Sequence, residues 1–189
     1  MIDFETGVML PADGKIERRL SQMKGVFADE KAYLACLEKE DSLVYEVYTS
    51  TPPEREGDLI YCTSVIYPGK VGDEFYMTKG HYHAKRGTSE VYLCVGGRGM
   101  LVLENPHGDS TVLDMYPGSM SYIPPFWAHR TVNTGSGPFI FIGVYPADAG
   151  HDYGTIEACG MMKLVLQRGG QTVVLDSQRA SPKAGEGLS

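Results

Sequence analysis

The sequence predicts a single, mainly β domain, a barrel or sandwich of short strands with one helical segment near its N-terminus. Its 189 residues suit one domain and suffice to bury a sizeable core. From residue 43 onward, short segments rich in Val, Ile, Tyr and Phe are separated by turn-forming pairs such as Pro-Gly and Gly-Gly. Many short strands at this spacing are typical of an all-β sandwich or barrel.

The helical segment comes first along the chain. Asp29 can cap a helix that runs through Lys39, because a carboxylate at this position accepts from the exposed N–H groups of the first turn. Leu34 and Leu37 share one face of this helix, and Glu and Lys occupy the other faces. The first forty or so residues therefore differ from the rest of the chain.

Strands follow, bounded by turn signals such as Pro68-Gly69, Gly96-Gly97 and Pro117-Gly118. They are predicted over residues 43–48, 59–67, 74–78, 90–95, 100–103, 111–115, 120–123, 130–133 and 139–145. A hairpin over residues 163–167 and 172–175, about Gly169-Gly170, adds an edge. After residue 176 the chain is small, polar and aperiodic, so we expect one domain over 1–176 and a disordered tail over 177–189.

Charge and cysteine content exclude several classes of partner and site. The net charge of −7 argues against nucleic acid and anionic membranes. The cysteines Cys36, Cys62, Cys94 and Cys159 form no close pair, which indicates reduced thiols rather than a disulfide framework or a zinc knuckle. No run of about 18 apolar residues and no basic-then-apolar leader is present, so we expect a cytoplasmic protein.

Three histidines and one glutamate form a candidate metal site. His81 and His83 flank Tyr82, and residues two apart in an extended segment project to the same face, so both imidazoles can reach one point. Glu90 opens the next predicted strand, and His129 lies in a later β segment that can fold back onto them. This donor set suits first-row divalent ions better than calcium. An isolated His-x-His pair is more often alternation on a solvated face, but this pair has two further donors.

Two stretches around these residues resemble the two cupin motifs. HYHAKRGTSEVYLCVGG contains the His-x-His pair and the glutamate of the first motif, and GSMSYIPPFWAHRTVN contains the histidine of the second. The chain departs from the common pattern at two places. Six residues rather than three or four separate His83 from Glu90, and Phe126 stands where many cupins have Gly. The resemblance implies a cupin β-barrel, or jelly roll.

The longer gap is typical of one cupin branch. TKGHYHAK, with Glu90 seven residues after His83, PPFWAHRTVN, and YPADAGHDYGTI near the C-terminus are similar to the cupin-type glucose-6-phosphate isomerases described mainly from archaea. The resemblance runs from about Phe4 to Leu175 and includes the helical segment. It implies an enzyme that interconverts glucose 6-phosphate and fructose 6-phosphate in glycolysis and gluconeogenesis.

The resemblance also implies the site. It implies one divalent ion per subunit, Fe²⁺ first and Zn²⁺, Mn²⁺, Ni²⁺ or Co²⁺ as alternatives, held by His81, His83, Glu90 and His129. The substrate's phosphate would be held near Tyr45, Ser64, Thr78, Lys79 and Gly80. The sugar end would meet Tyr145, His151 and Tyr153. Ser64 stands where the family is expected to have Thr, and the hydroxyl is retained.

The Thr78-Lys79-Gly80 run suits phosphate chemically, because it offers a hydroxyl, a cation and a backbone that can be approached closely. Outside the family it would be an ordinary strand end with a solvated lysine. The family is typically homodimeric. Residues 43–48 form an apolar strand that could pair across subunits or be covered within the chain.

Two routes remain open for the reaction, and Glu90, Tyr145 and His151 are the candidate catalytic residues. In the enediol route Glu90 moves a proton between C2 and C1, whereas a hydride shift needs no such base. Two other functions compete: a cupin iron oxygenase and a non-catalytic sugar-binding or storage cupin. The phosphate-binding run and YPADAGHDYG argue against the first, and the complete ligand set argues against the second. Mannose 6-phosphate is a neighbouring substrate.

Overall fold

The computed structural model describes residues 1–52 and 55–178, and this part of the chain is built mainly from antiparallel strands. Its helices are α1 (Glu30–Lys39) and α2 (Gly154–Cys159), with a 3₁₀ turn at Leu20–Gln22. Its strands are β1 (Gly14–Arg19), β2 (Leu43–Ser50), β3 (Leu59–Ile66), β4 (Lys70–Val71), β5 (Glu74–Phe75), β6 (Glu90–Gly96), β7 (Gly99–Glu104), β8 (Ser110–Met115), β9 (Met120–Ile123), β10 (Ala128–Asn133), β11 (Phe139–Pro146), β12 (Lys163–Arg168) and β13 (Gln171–Asp176).

The described strands form three sheets. The largest has the order β1-β2-β3-β11-β6-β9, the second β10-β7-β8, and the third β13-β12-β5-β4. The first two contribute side chains to one buried cluster, in which Ile66 and Phe139 of the large sheet join Leu101 and Val132 of the second. Two sheets that share a core in this way confirm the mainly β, barrel-like fold expected from the sequence.

The register of the large sheet decides which side chains enter the interior. Tyr45 of β2 lies opposite Ile66 of β3, which lies opposite Phe139 of β11. Directly opposed residues share a face, so Tyr45 belongs to the inner face with these two buried side chains. The same alternation places Ser64, Tyr92, Tyr145 and Glu90, all buried, on the inner face.

The predicted helix is confirmed, and its cap has the expected geometry. α1 covers Glu30–Lys39, and the Asp29 carboxylate accepts a hydrogen bond of 2.9 Å from the Ala32 N–H. The predicted strand over 74–78 was too long, since only Glu74–Phe75 is a strand. Beyond it the chain follows β10 through isolated bridges that pair Met77 with Val132 and His81 with His129.

Four elements have no counterpart among the sequence-based predictions. Two of them, the 3₁₀ turn and β4, are only two or three residues long, and the other two bear on the site. β1, with the sequence GKIERR, carries mostly exposed side chains and runs antiparallel to β2. It covers the edge of β2 within the chain, so the alternative in which that strand pairs across subunits is wrong. The second element is the short helix α2, which begins at the last residue of the segment YPADAGHDYG.

No helix in the described ranges is long and apolar enough to cross a membrane. The C-terminal hairpin of β12 and β13 is present as predicted and joins β5. The predicted disordered tail over 177–189 lies outside the described residues except for Ser177 and Gln178.

Candidate metal centre and substrate pocket

The structure brings the four candidate ligands together. One donor atom from each of His81, His83, Glu90 and His129 lies within 4.8 Å of all the others. Backbone hydrogen bonds fix the two opposite sides of this cluster: the His81 N–H donates to the His129 carbonyl at 3.2 Å, and the His129 N–H donates to the His81 carbonyl at 3.0 Å. Glu90 enters from the first position of β6. Three separate parts of the chain therefore converge on one point.

The hydrogen bonds of His83 determine which of its ring nitrogens carries the proton. The Thr88 hydroxyl donates to the Lys85 carbonyl at 2.7 Å, so it must accept from Nδ1 of His83, which lies 2.8 Å away. The other ring nitrogen, Nε2, then presents a lone pair to Oε2 of Glu90 at 3.2 Å. A cation between these two acceptors removes their repulsion.

The other two imidazoles lead to the same conclusion. Among the described residues, Nε2 of His81 and Nε2 of His129 are buried and have no hydrogen-bond partner. The latter lies 3.1 Å from Oε2 of Glu90, in poor hydrogen-bond geometry. A single proton can satisfy only one such pair, whereas a divalent ion accepts all the lone pairs at once. The residues present therefore fit a metal ion.

The protonation states are also those that metal binding requires. Burial raises the pKa of Glu90, but the contacts with His129 and His83 outweigh burial and hold the pKa below its usual value, so the carboxylate is ionised. Burial, and after it the neighbouring imidazoles, hold the pKa of His81 well below its usual value. His81 is therefore neutral at pH 7, and its lone pair is available.

A ring of aromatic side chains surrounds this centre. The His151 ring centroid lies 4.6 Å from that of His81, and the Tyr153 ring lies 5.3 Å from His81. The Tyr145 ring centroid lies 6.2 Å from that of His83 and 5.7 Å from that of His151. All three residues named from the sequence as sugar-end residues are therefore brought to the centre, although His151 itself is exposed.

The segment 146–153, which carries two of these residues, is hydrogen-bonded to the extended His-x-His segment. Tyr82 and Asp152 exchange backbone hydrogen bonds of 3.1 and 2.8 Å. The Asp152 carboxylate also accepts from the Arg86 guanidinium at 2.5 Å, and that guanidinium lies 4.0 Å from the centroid of the Tyr82 ring. This explains how a segment so distant in sequence becomes a wall of the site.

The loop that directly precedes His81 consists of Thr78, Lys79 and Gly80 and is termed here the 78–80 loop. The Thr78 N–H donates to Thr131 O at 2.9 Å, and its hydroxyl accepts from the Thr131 N–H at 3.1 Å. The Arg130 guanidinium donates to the Lys79 carbonyl at 2.5 Å. Gly80 has a positive φ of 78°, and a Cβ there would lie 3.1 Å from the Arg130 Nε. The loop is thus held in one conformation that requires glycine.

Tyr45 and Ser64 reach the interior from β2 and β3. Burial raises the pKa of Tyr45 to about 12, so its hydroxyl stays protonated, and the nearby Arg18 charge, Lys79 backbone and Arg18 side chain oppose that rise. Burial raises the pKa of the Cys62 thiol to about 12, and the neighbouring Ser64 side chain opposes that rise. Tyr45 is therefore in contact with the 78–80 loop, whereas the described contact of Ser64 is with the inner face of β3.

Comparisons with known proteins decide the family. A family model described as "Glucose-6-phosphate isomerase (GPI)" matches residues 17–183. Glucose-6-phosphate isomerases of Pyrococcus abyssi and Pyrococcus furiosus are 53% and 52% identical over 178 residues, which cover 94% of this chain and 94% of each relative. The chain belongs to the glucose-6-phosphate isomerase family. The family resemblance inferred from the sequence is thereby confirmed.

One further relative and one solved structure are more distant from this chain. A glucose-6-phosphate isomerase of Sinorhizobium medicae is 39% identical over 171 residues, 90% of this chain and 80% of that protein. Among solved structures, oxalate decarboxylase of Bacillus subtilis at pH 4.6 gives a TM-score of 0.47 at 20% identity, over 61% of this chain and 29% of that one.

Several residues at this isomerase-family site are not among the site residues named from the sequence. Tyr92 is buried, and its ring centroid lies 5.7 Å from that of His129. Gly143 leaves room for the glutamate, because a Cβ there would lie 3.0 Å from Glu90 Oε1. A glycine inside the strongly β segment FIFIGVYP was a usable signal, since glycine within a strand often marks a close approach. Thr88 and Arg18 carry no such signal.

Proposed function

We propose that this protein is a metal-dependent aldose–ketose isomerase that interconverts glucose 6-phosphate and fructose 6-phosphate. Membership of the glucose-6-phosphate isomerase family across 94% of the chain is the observation that carries the proposal. The convergence of three imidazoles and one carboxylate within 4.8 Å supports it chemically, because the reaction moves one hydrogen between C1 and C2 beside two oxygens that need polarisation.

Fe²⁺ is the ion that we propose, one per subunit, with Zn²⁺, Mn²⁺, Ni²⁺ or Co²⁺ able to replace it. The donor set supports a first-row divalent ion without distinguishing among these. The residues that would hold it are His81, His83, Glu90 and His129. A bound ion supplies Lewis-acid chemistry to the C1 and C2 oxygens of the sugar.

The substrate is proposed to lie with its phosphate at the 78–80 loop and its C1–C2 end at the metal centre. Tyr153 supports this orientation, because its ring centroid lies 5.3 Å from that of His81. The charge of Arg18, on the side of the pocket away from the metal centre, opposes the rise in the pKa of Tyr153 that burial causes. Tyr45 and Thr78 would donate hydroxyl hydrogen bonds to phosphate oxygens, and Lys79 and Gly80 would supply charge and backbone approach. Ser64 is assigned to the same pocket by family resemblance alone.

Glu90 is proposed as the residue that moves the proton in the enediol route. Its Oε2 faces the imidazoles of His83 and His129, while its Oε1 lies over Gly143. The two carboxylate oxygens therefore have different neighbours, and Glu90 would move the proton between C2 and C1 in the enediol route. His151, whose pKa burial lowers, is neutral at pH 7 and can accept a proton during ring opening, with Tyr145 beside it.

Isotope exchange separates the two routes. Reaction in heavy water should place deuterium at the migrating position if Glu90 acts as the base. Product free of deuterium would favour the hydride shift and remove the base role from Glu90.

An enzyme-coupled assay with fructose 6-phosphate tests the function itself. Wild-type protein should be active, lose activity on thorough chelation and regain it when Fe²⁺ is returned. Glu90→Ala should lower kcat strongly, whereas Lys79→Ala should chiefly raise KM. Turnover that survives complete metal removal would contradict the proposal. Substrate-dependent oxygen consumption without isomerisation would favour the oxygenase instead.

We propose further that the enzyme acts in the cytoplasm as a homodimer. Sugar phosphates are charged and do not cross membranes unaided, which supports the compartment. Exposed apolar side chains on the outer face of the large sheet, Tyr61, Met120 and Tyr122, support an association surface. Light scattering after size exclusion measures the molecular mass. A monomer at micromolar concentration would exclude the dimer.

A further inference from the structure

Arg18 lies beside the substrate pocket on the strand that the sequence did not predict. It occupies β1 directly opposite Tyr45 of β2, so the two side chains share the inner face of the sheet. The register shifts between Arg18 and Arg19, which separates the half-buried Arg18 from its exposed neighbour. The strand therefore delivers one guanidinium to the edge of the interior.

The Tyr45 hydroxyl connects this guanidinium to the 78–80 loop. Both the Arg18 side chain and the Lys79 backbone oppose the rise in the pKa of Tyr45 that burial causes, so both lie close to its hydroxyl. Arg18 and the 78–80 loop are therefore neighbours of the same hydroxyl group. The positive charge of Arg18 also acts on Tyr153, where it opposes the rise in pKa that burial causes. Arg18 therefore faces the same space as Tyr45 and Tyr153.

Two cations, Lys79 and Arg18, lie near this space, and within the described ranges only Lys79 of the two is paired with a carboxylate. The Lys79 ammonium is already paired with the Glu157 carboxylate at 3.0 Å. Arg18, by contrast, has no carboxylate within 4 Å among residues 1–52 and 55–178, and its Nη1 donates to the Glu17 backbone carbonyl at 3.1 Å. A half-buried guanidinium whose partners are neutral retains its full attraction for an anion.

We propose that Arg18 binds the phosphate group of the sugar-phosphate substrate, beside the 78–80 loop. This inference rests on the proposed function, because that function supplies the anion. The planar guanidinium matches two phosphate oxygens at once, which the Lys79 ammonium cannot do. Arg18 is a binding residue at the end of the pocket away from the metal centre. It favours phosphorylated over free sugars and takes no part in hydrogen transfer.

The test compares Arg18→Gln with Arg18→Lys and with the neighbouring Arg19→Gln as a matched control. The Arg19 side chain is exposed, and its Nη1 donates to the Asp41 carbonyl, away from the pocket. Each variant is checked for an unchanged far-UV circular dichroism spectrum and melting temperature. Kinetics with fructose 6-phosphate are then measured on the metal-loaded protein, with inorganic phosphate as a competitive inhibitor.

Loss of a charge-assisted contact in Arg18→Gln should raise the KM for fructose 6-phosphate and the Ki for inorganic phosphate together, by roughly ten- to a hundredfold. The kcat should stay within about threefold. Arg18→Lys should lie between Arg18→Gln and wild type, and Arg19→Gln should match wild type.

A KM and a phosphate Ki that change less than twofold in folded Arg18→Gln would overturn the inference. A fall in kcat at unchanged KM would also overturn it. Should wild-type protein fail to isomerise fructose 6-phosphate, the proposed function fails separately. Calorimetric titration of wild-type and Arg18→Gln protein with inorganic phosphate then decides the role of Arg18 by itself.

Discussion

The Thr88 hydroxyl lies 2.8 Å from Nδ1 of His83 and, because its own proton is donated to the Lys85 carbonyl, it accepts from that nitrogen. The contact turns Nε2 of His83, unprotonated, toward the metal centre. A side chain that does not touch the metal thus determines how one ligand binds it.

Thr88→Val should therefore weaken metal binding by roughly tenfold, the lower end of what loss of such a contact costs. The effect is limited because the Thr88 backbone carbonyl, 3.2 Å from the same nitrogen, remains as an acceptor. Competition with a chromophoric chelator measures the affinity. Thr88→Ser keeps the hydroxyl and should bind metal like wild type. Equal affinities for Val and Ser variants would show that the hydroxyl does not position His83.

Gly143→Ala should disturb the glutamate from the opposite side. The added Cβ would lie 3.0 Å from Glu90 Oε1, from the Cys62 sulfur and from the Tyr92 ring. Overpacking of this kind costs about 1–3 kcal/mol of stability and should move the carboxylate, with a loss in kcat larger than the change in KM. Gly137→Ala is the control, because a Cβ there meets nothing within 4 Å. Unaltered kinetics in Gly143→Ala would show that the carboxylate tolerates displacement.

Asn133→Ala should destabilise the fold without touching the site. This fully buried amide donates to the Ile66 carbonyl at 2.7 Å and to the Gly137 carbonyl at 2.9 Å, and its oxygen accepts from the Gly135 N–H at 2.8 Å. Removing it leaves buried backbone groups unpaired, so we expect the free energy of unfolding to fall by about 3 kcal/mol. Urea denaturation measures this loss. Asp29→Ala, which removes only the helix cap, should cost about 1 kcal/mol.

Metal-free protein should lose stability as the pH falls below about 6.5. Burial holds the pKa of His81 well below its ordinary 6.5 in the folded state. Below that pH the unfolded chain binds a proton that the folded chain does not, so protons favour unfolding. The contribution of His81 is complete above pH 6.5 and is lost as the pH falls toward the folded pKa. Urea midpoints in chelator at about pH 8, 7 and 6 should show this, and His81→Asn should reduce the slope. An unchanged slope would assign the dependence to other groups.

Local pattern was sufficient for much of the fold. The cap at Asp29 and the apolar, turn-bounded sequences of β3 and β11 are properties of neighbouring residues, so sequence could predict them. β1 differs because its sequence, GKIERR, offers one apolar side chain among charges. It is a strand only because β2 has a free edge, and that is a non-local cause.

The same distinction between local and non-local causes applies to the residues of the site. The His81 and His83 pair follows from strand geometry, and motif spacing added Glu90 and His129. Nothing local indicated that Arg18 would join Tyr45, since their contact depends on β1 being a strand at all. The pairing of Lys79 with Glu157 likewise depends on α2, a helix too short to show a clear periodicity.

Backbone hydrogen bonds on both sides of the His-x-His segment limit how the pocket can move. His81 is paired with His129 on one side, and Tyr82 with Asp152 on the other. Its amides should therefore exchange with solvent only when large parts of the molecule open. A segment fixed in this way is preorganised, so a ligand that reaches His81 and His83 would consume little of its binding energy in ordering the protein.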